Sequence, residues 1–184
     1  MTVPVKAYTV EEFDAFVELP ENIEKIFEYI GGEIVEVPSN PFASKISSIF
    51  SGEIYIYNKD KNLGHLTGEA GGYQVSGERY APDVGILLKA RQAHIAHTGY
   101  NPLPPDLAVE VDYPSTAQSR DILRIKLANY LAAGTTVWIA HPLTKKVEVY
   151  EPGKPVVILG INDTLDGGSI LPGFNLAVKD IFPE

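Results

Sequence analysis

The sequence predicts an α/β (α+β) fold, a mixed β-sheet core flanked by two or three helices. Three observations predict it. Short apolar runs rich in Val, Ile and aromatic residues recur between Gly and Pro punctuation. Two longer segments instead space their apolar residues three and four apart. Strands outnumber helices, and the two kinds of element alternate along the chain.

In order, Thr9-Val10-Glu11-Glu12 reads as a capping box opening a short helix, with Phe13, Phe16 and Val17 at helical spacing before Pro20. Lys25 to Ile30 and Glu33 to Val37 read as two strands around a tight Gly31-Gly32 turn. From Phe42 to about Lys59, the spacing of Ile46, Ile49, Phe50, Ile54 and Tyr57 favours a second helix. The pattern turns β-like at Leu63 to Leu66, Tyr73 to Val75 and Val84 to Leu88, with Gly71-Gly72 and Gly77 marking turns or a bulge. Lys89 to Pro105 is polar and reads as a loop with room for a short helix. Ala117 to Ala133 is a helix closed by Gly134, with Ser115 or Thr116 as N-cap candidates. Further strands follow at Val137 to Ala140, Val147 to Tyr150 and Val156 to Leu159, before a short closing element near Ile181-Phe182.

At 184 residues the chain suits one domain over 1–184. Its 45% hydrophobic and 21% charged residues indicate a folded globule. No run is long enough to span a membrane and the N-terminus lacks the blocks of a signal peptide, so a cytoplasmic location is expected. The absence of cysteine excludes disulfides, zinc-thiolate sites and thiol nucleophiles. A formal charge of -9 weighs against binding of nucleic acid through phosphate electrostatics.

Two apolar runs carry an acid where a core residue belongs. These are Asp83 in Ala81-Pro82-Asp83-Val84-Gly85-Ile86 and Glu110 in Pro105-Asp106-Leu107-Ala108-Val109-Glu110-Val111. Two ionised carboxylates in a low-dielectric site repel unless a cation binds between them, which makes the pair a candidate metal site. Lys126 adds to this. At about 100° per residue it falls inside the apolar arc of the third helix, between Ile122 and Ala133 on one side and Tyr130 and Leu123 on the other. It either snorkels to the edge of that stripe or pairs with a buried carboxylate. Asp112 shares the strand face of Glu110 because side chains alternate. Gly31-Gly32 and Gly71-Gly72 lack the context of a phosphate loop, and Ser115 lacks that of a nucleophile elbow. His94 and His97 stand one helical turn apart without acidic neighbours.

The segments Tyr8 to Phe13, Phe27 to Val35, Ala81 to Val84 and Pro105 to Val111, with Pro114-Ser115-Thr116, Asp121, Lys126, Tyr130, Gly134, Val137-Trp138-Ile139 and Leu171 to Phe174, together resemble the Uma2 family. Its members are described as restriction endonucleases of the PD-(D/E)XK nuclease fold. The resemblance implies a restriction-endonuclease-like sheet in which Asp83 and Glu110 bind a divalent cation, Mg2+ or Mn2+, near the ends of adjacent strands. It further implies that Lys126 replaces the lysine usually found two residues after the second acid, where this chain has Asp112. Glu28 would be the additional acid from an earlier element.

On that reading the substrate is DNA, the reaction is phosphodiester hydrolysis, and the backbone carbonyl of Val111 joins the metal ligands. Asp112 is an extra ligand or the ion-pair partner of Lys126, and both stay open. A homodimer is expected, as for nucleases that cut both strands. The alternative is a catalytically inactive nuclease-fold module for binding or assembly. The chain departs from the family pattern at several places, among them Thr136-Val137-Trp138 and His141-Pro142, where members usually have an acidic and aromatic pair before the late strand and Asp-Pro after it. Asp112-Tyr113-Pro114-Ser115 replaces a Leu-Ser-Pro-Ser-like stretch, and Phe42-Ala43-Ser44-Lys45 stands where members often have a histidine.

Overall fold

The computed structural model describes residues 7–38, 40–113 and 117–182. The capping box forms as expected. Thr9 Oγ1 accepts from the Glu12 amide at 3.2 Å, and the Glu12 carboxylate accepts from the Thr9 amide at 2.9 Å. This satisfies two of the free amides that begin α1, Val10–Val17. The next hairpin pairs β1, Phe27–Ile30, with β2, Glu33–Glu36, across Gly31 and Gly32. Both glycines have positive φ, +58° and +86°, as a two-residue hairpin turn requires.

The second helix, α2, spans Pro41–Lys61. Asn40 caps it by accepting from the amides of Phe42 and Ala43, and Pro41 occupies a first-turn position where its missing N–H costs nothing. Then come β3, Gly64–Gly68, and β4, Tyr73–Val75. The sequence pattern stops there, but the chain turns at Ser76 and Gly77, with φ of +50° and +87°, into β5, Glu78–Tyr80. Three residues, two of them charged, leave too little alternation for β5 to be read in advance. Pro82 follows, and the chain leaves one sheet and enters another.

The mixed α/β architecture holds, but its strands divide into separate sheets rather than one. A four-stranded antiparallel sheet has the order β2-β1-β5-β4. The larger sheet is built from β3, β6 (Val84–Leu88), β7 (Leu107–Val111), β8 (Thr136–His141), β9 (Lys146–Tyr150) and β10 (Val157–Leu159), in the order β10-β9-β8-β7-β6-β3. Among the described residues of this sheet, only β7 and β8 run parallel, and α3, Ala117–Ala132, makes the crossover between them. The N-cap candidates Ser115 and Thr116 lie outside the described residues. A small hairpin of β11, Thr164–Asp166, with β12, Asn175–Ala177, precedes α4, Val178–Ile181, the closing element.

Lys89 to Pro105 contains no helix. Buried Asn101 organises this loop instead. Its Oδ1 accepts from Gln92 and the Ala96 amide, and its Nδ2 donates to the Leu103 carbonyl. A side chain thus satisfies the polar groups that a helix would have satisfied internally.

Alternation along β7 sends its side chains into two cores. Leu107 and Val109 pack under α2 with Phe50, Trp138 and Phe174, where each buried aromatic contributes on the order of 3 kcal/mol. Ala108 faces the other side, among Tyr80, Tyr130 and Ile139 beneath α3 and the small sheet. Glu110 continues that second face. The same alternation that builds the core therefore delivers a carboxylate into it.

Candidate active site

Four charged side chains meet where the two main sheets and α3 come together. Lys126 Nζ lies 2.8 Å from Glu110 Oε1 and 2.9 Å from Glu28 Oε1. All three residues are buried, at 5%, 7% and 6% exposure respectively. Lys126 takes the buried pairing and does not snorkel. Glu28 comes from β1, and its Oε1 also accepts from the Ala81 amide at 2.7 Å. Glu110 Oε1 accepts in addition from the Tyr130 hydroxyl at 3.1 Å.

Asp83 stands just ahead of β6. Extending the pairing of Val84 with Val109 by one position puts Asp83 opposite Glu110. Its Oδ2 accepts from the Val111 amide at 2.7 Å, so the strand carrying one acid holds the other. The Val111 carbonyl in turn accepts from the Tyr113 amide at 3.1 Å. Asp83 and Val111 are only partly buried, in contrast to Glu28, Glu110 and Lys126.

The electrostatics follow from burial. Desolvation pushes the Glu110 carboxyl up to about 7, Lys126 pulls against that shift, and Asp83 and Glu28 reinforce it. Burial likewise raises Asp83, opposed by the Val111 amide and Lys126. Burial alone would depress the Lys126 ammonium, but Glu110 and Glu28 outweigh it and lift the group well above the usual lysine range.

A model of the Uma2 family, described as "Putative restriction endonuclease", matches residues 12–179. The chain belongs to the Uma2 family. A solved structure described as "a putative nuclease belonging to DUF820", from Anabaena variabilis ATCC 29413, is similar over 97% of this chain and 98% of that chain, with a TM-score of 0.76 at 24% identity. That likeness shows a shared fold over almost the whole of both chains. No curated protein matches the chain.

The geometry brings Glu28, Asp83, Glu110 and Lys126 of this Uma2 protein into one cluster. Asp112 is placed differently from one of its two expected uses. Lys126 is taken up by Glu28 and Glu110, while Asp112 Oδ2 lies 3.1 Å from His141 Nδ1. His141 Nε2 lies 3.3 Å from Glu148 Oε2, and these groups line a cavity of about 240 Å3 between α3 and the β8–β9 hairpin. His94 and His97 are exposed on the long loop.

Sequence reasoning missed the aromatic wall. Tyr80 and Tyr130 pack edge to face with centroids 5.3 Å apart, and Lys126 Nζ lies 5.7 Å from the Tyr80 ring centre. The Tyr80 hydroxyl donates to Glu78 Oε2 and accepts from Asn129 Nδ2, both at 2.6 Å, which ties β5 to α3. Tyr130 was within reach of the sequence, because it lies one turn from Lys126 on the same helix face. Tyr80 was not, because β5 was not.

Among the described residues, no group of three or more His, Asp or Glu side chains is arranged as a ready-made metal cage. The donor set nonetheless fits a hard divalent cation. Three carboxylates against one ammonium leave a formal excess of two negative charges. Glu110 uses Oε1 for Lys126 and Tyr130, and Asp83 uses Oδ2 for Val111, so the second oxygen of each acid lies outside these bonds. Carboxylate oxygens from opposed strand positions are the ligands such a cation prefers.

Proposed function

We propose that this Uma2 protein is a metal-dependent DNA endonuclease acting as a cytoplasmic homodimer. Asp83 and Glu110 would hold Mg2+ or Mn2+, with the Val111 carbonyl as a further oxygen donor. When bound, that cation would supply a Lewis acid that polarises a phosphate oxygen and acidifies the attacking water. In the reaction the water oxygen bonds to phosphorus, one ester bond from phosphorus breaks, and the departing sugar oxygen takes up a proton.

The chain's own groups divide the remaining work. Lys126 serves as a fixed positive charge. Its ammonium is held too firmly to act as a base, so it orients Glu110 and offsets the charge that grows on the phosphate. Glu28 holds Lys126 in place and is itself positioned by the Ala81 amide. Tyr130 fixes the carboxylate of Glu110 from the other side. The observation carrying this reading is the contact of one buried ammonium with both Glu28 and Glu110, beside a third acid opposite Glu110.

The competing reading, a nuclease-fold binding module without cleavage, is favoured by the formal charge of -9. Nicking of supercoiled plasmid DNA in Mg2+ or Mn2+ separates the two. Cleavage that Asp83→Ala and Lys126→Ala both abolish supports the enzyme. Folded wild-type protein that cuts in neither ion supports the binding module, and cleavage unchanged in either variant rejects this site.

A further inference from the structure

Strand β10 forms one edge of the larger sheet and, among the described residues, pairs only with β9. An edge strand turns alternate N–H and C=O groups away from its neighbour, where a further strand can pair with them. The other outer edges of the two main sheets are guarded. β2 carries Glu33 and Glu36. β4 is bridged by Asn101, whose carbonyl accepts from the Gln74 amide and whose amide donates to the Gly72 carbonyl. β3 exposes no large apolar side chain. At β10, by contrast, Val156, Val157 and Ile158 are 44%, 51% and 55% exposed.

The ends of this edge limit what can pair with it. Pro155 has no N–H to offer. Gly160 already donates its amide to Asp163 Oδ2 and accepts from the Asp163 amide. Pairing is thus confined to Val156 through Leu159, a length that a second copy of the same strand matches. A two-fold axis normal to the sheet reverses the strand direction and keeps each side chain on its own face. Centred on Val157, it sets Val157 against Val157 of the partner subunit, on the face of Val149. It also sets Val156 against Ile158 of the partner subunit, on the face of Glu148. All three exposed side chains then meet apolar partners. An axis at Ile158 would instead set Val156 against Gly160 of the partner subunit, where the backbone groups are already taken.

Charge permits this contact. Two chains of formal charge -9 repel each other, so a surface for self-association needs a stretch without acids. From Lys154 to Asn162 the only charged residue is Lys154. It pairs with Glu151 in the turn before β10 and brings no negative charge to the edge. Ile161, just beyond β10, is exposed as well and extends the apolar surface. Antiparallel pairing of two identical edges is self-complementary and closes on itself, so association stops at two copies.

We propose that β10 is the homodimer interface, pairing antiparallel with β10 of a second copy about a two-fold axis at Val157 and joining the two larger sheets into one. The inference rests on the homodimer reading above and is tested without DNA or metal. The contact is small, so sedimentation velocity over a concentration series is expected to show a dimer that dissociates in the micromolar range. Val157→Lys sets two ammonium groups face to face and is expected to raise the dissociation constant about ten-fold or more, with far-UV circular dichroism unchanged. The chain has no cysteine, so single introduced thiols test the register. Facing Cα atoms in an antiparallel pair lie about 4.5–5.5 Å apart, within reach of a disulfide. Val157→Cys is therefore expected to form a covalent dimer on mild oxidation. In Ile158→Cys, at a similarly exposed position, the two thiol-bearing Cα atoms would lie about 8 Å apart, beyond that reach, and cross-linking is expected to be at least about ten-fold slower. Wild-type protein that is monomeric at every concentration overturns the interface and the homodimer together. A dimer that Val157→Lys leaves intact, or cross-linking no faster in Val157→Cys than in Ile158→Cys, overturns the interface and leaves the homodimer. Metal-dependent plasmid cleavage by a monomer would leave the nuclease reading standing and remove only the dimer.

Discussion

Lys126 Nζ and Glu110 Oε1 are 2.8 Å apart in a region where both residues are at most 7% exposed. At such depth a charge pair is not an incidental surface contact. Desolvating each partner is costly, and only mutual attraction with further hydrogen bonds offsets that cost. Here Glu28, Tyr130 and the Ala81 amide supply the additional contacts.

Replacing Lys126 with Ala is therefore expected to cost about 3–5 kcal/mol of stability in metal-free protein, because it strands two buried carboxylates. Urea denaturation in EDTA measures this. Removing Glu28 at the same time, as Lys126→Ala with Glu28→Gln, is expected to recover part of the loss, since one stranded charge disappears. A double variant weaker by the full sum of the two single losses would show that the pair does not act as a unit.

The raised carboxyl of Glu110 makes metal-free stability depend on pH in a defined direction. Its folded value of about 7 lies above the ordinary 4.5, so between those values the folded chain holds a proton that the unfolded chain has lost. The contribution is complete below about 4.5 and is lost as pH rises through 7. Asp83, also raised, acts in the same sense. The urea midpoint of wild-type protein in EDTA is expected to fall more steeply from pH 5 to pH 8 than that of Glu110→Gln. Parallel slopes would place the titration elsewhere.

How much of this arrangement the sequence discloses depends on how far each signal travels along the chain. Lys126 could be placed by helical angle alone, and Asp83 and Glu110 stood out as acids inside apolar runs, because each signal is confined to one element. The capping box at Thr9 and the Gly31-Gly32 turn were legible for the same reason. The grip of Glu28 on Lys126 was not, since it joins residues 98 positions apart on different elements and entered only through the family resemblance. The division into separate sheets depends on β5, which is too short to show a period. The pairing of Asp112 with His141 depends on β7 and β8 lying side by side.

Gly85 gives a test of how firmly β6 holds Asp83. A Cβ at Gly85 would lie 2.8 Å from Thr67 Oγ1 and 2.9 Å from the Tyr73 hydroxyl, two atoms that hydrogen-bond each other at 2.8 Å. Gly85→Ala must displace that bonded pair or shift the strand two residues beyond Asp83. The expected cost is about 1–3 kcal/mol, measured by urea denaturation, with a larger proportional loss of cleavage than of stability if Asp83 moves with the strand. Thr67→Ala with Gly85→Ala is expected to relieve part of the crowding and to restore some of both.

Divalent cation binding should be visible without any substrate. A ligand that binds only the folded chain stabilises it by mass action, about 2.7 kcal/mol at a hundred times its dissociation constant. Mg2+ or Mn2+ is therefore expected to raise the thermal midpoint of wild-type protein. Asp83→Ala should remove most of that rise, because it deletes the more open of the two facing carboxylates. Below about pH 7 the cation must also displace the proton held by Glu110, so binding is expected to strengthen as pH rises towards 7 and to level off above it. Titration calorimetry at pH 6 in two buffers of different ionisation enthalpy would then show a buffer-dependent heat, and at pH 8.5 a much smaller one. A midpoint unmoved by either ion in wild-type protein, or moved equally in Asp83→Ala, would show that these carboxylates do not form the cation site.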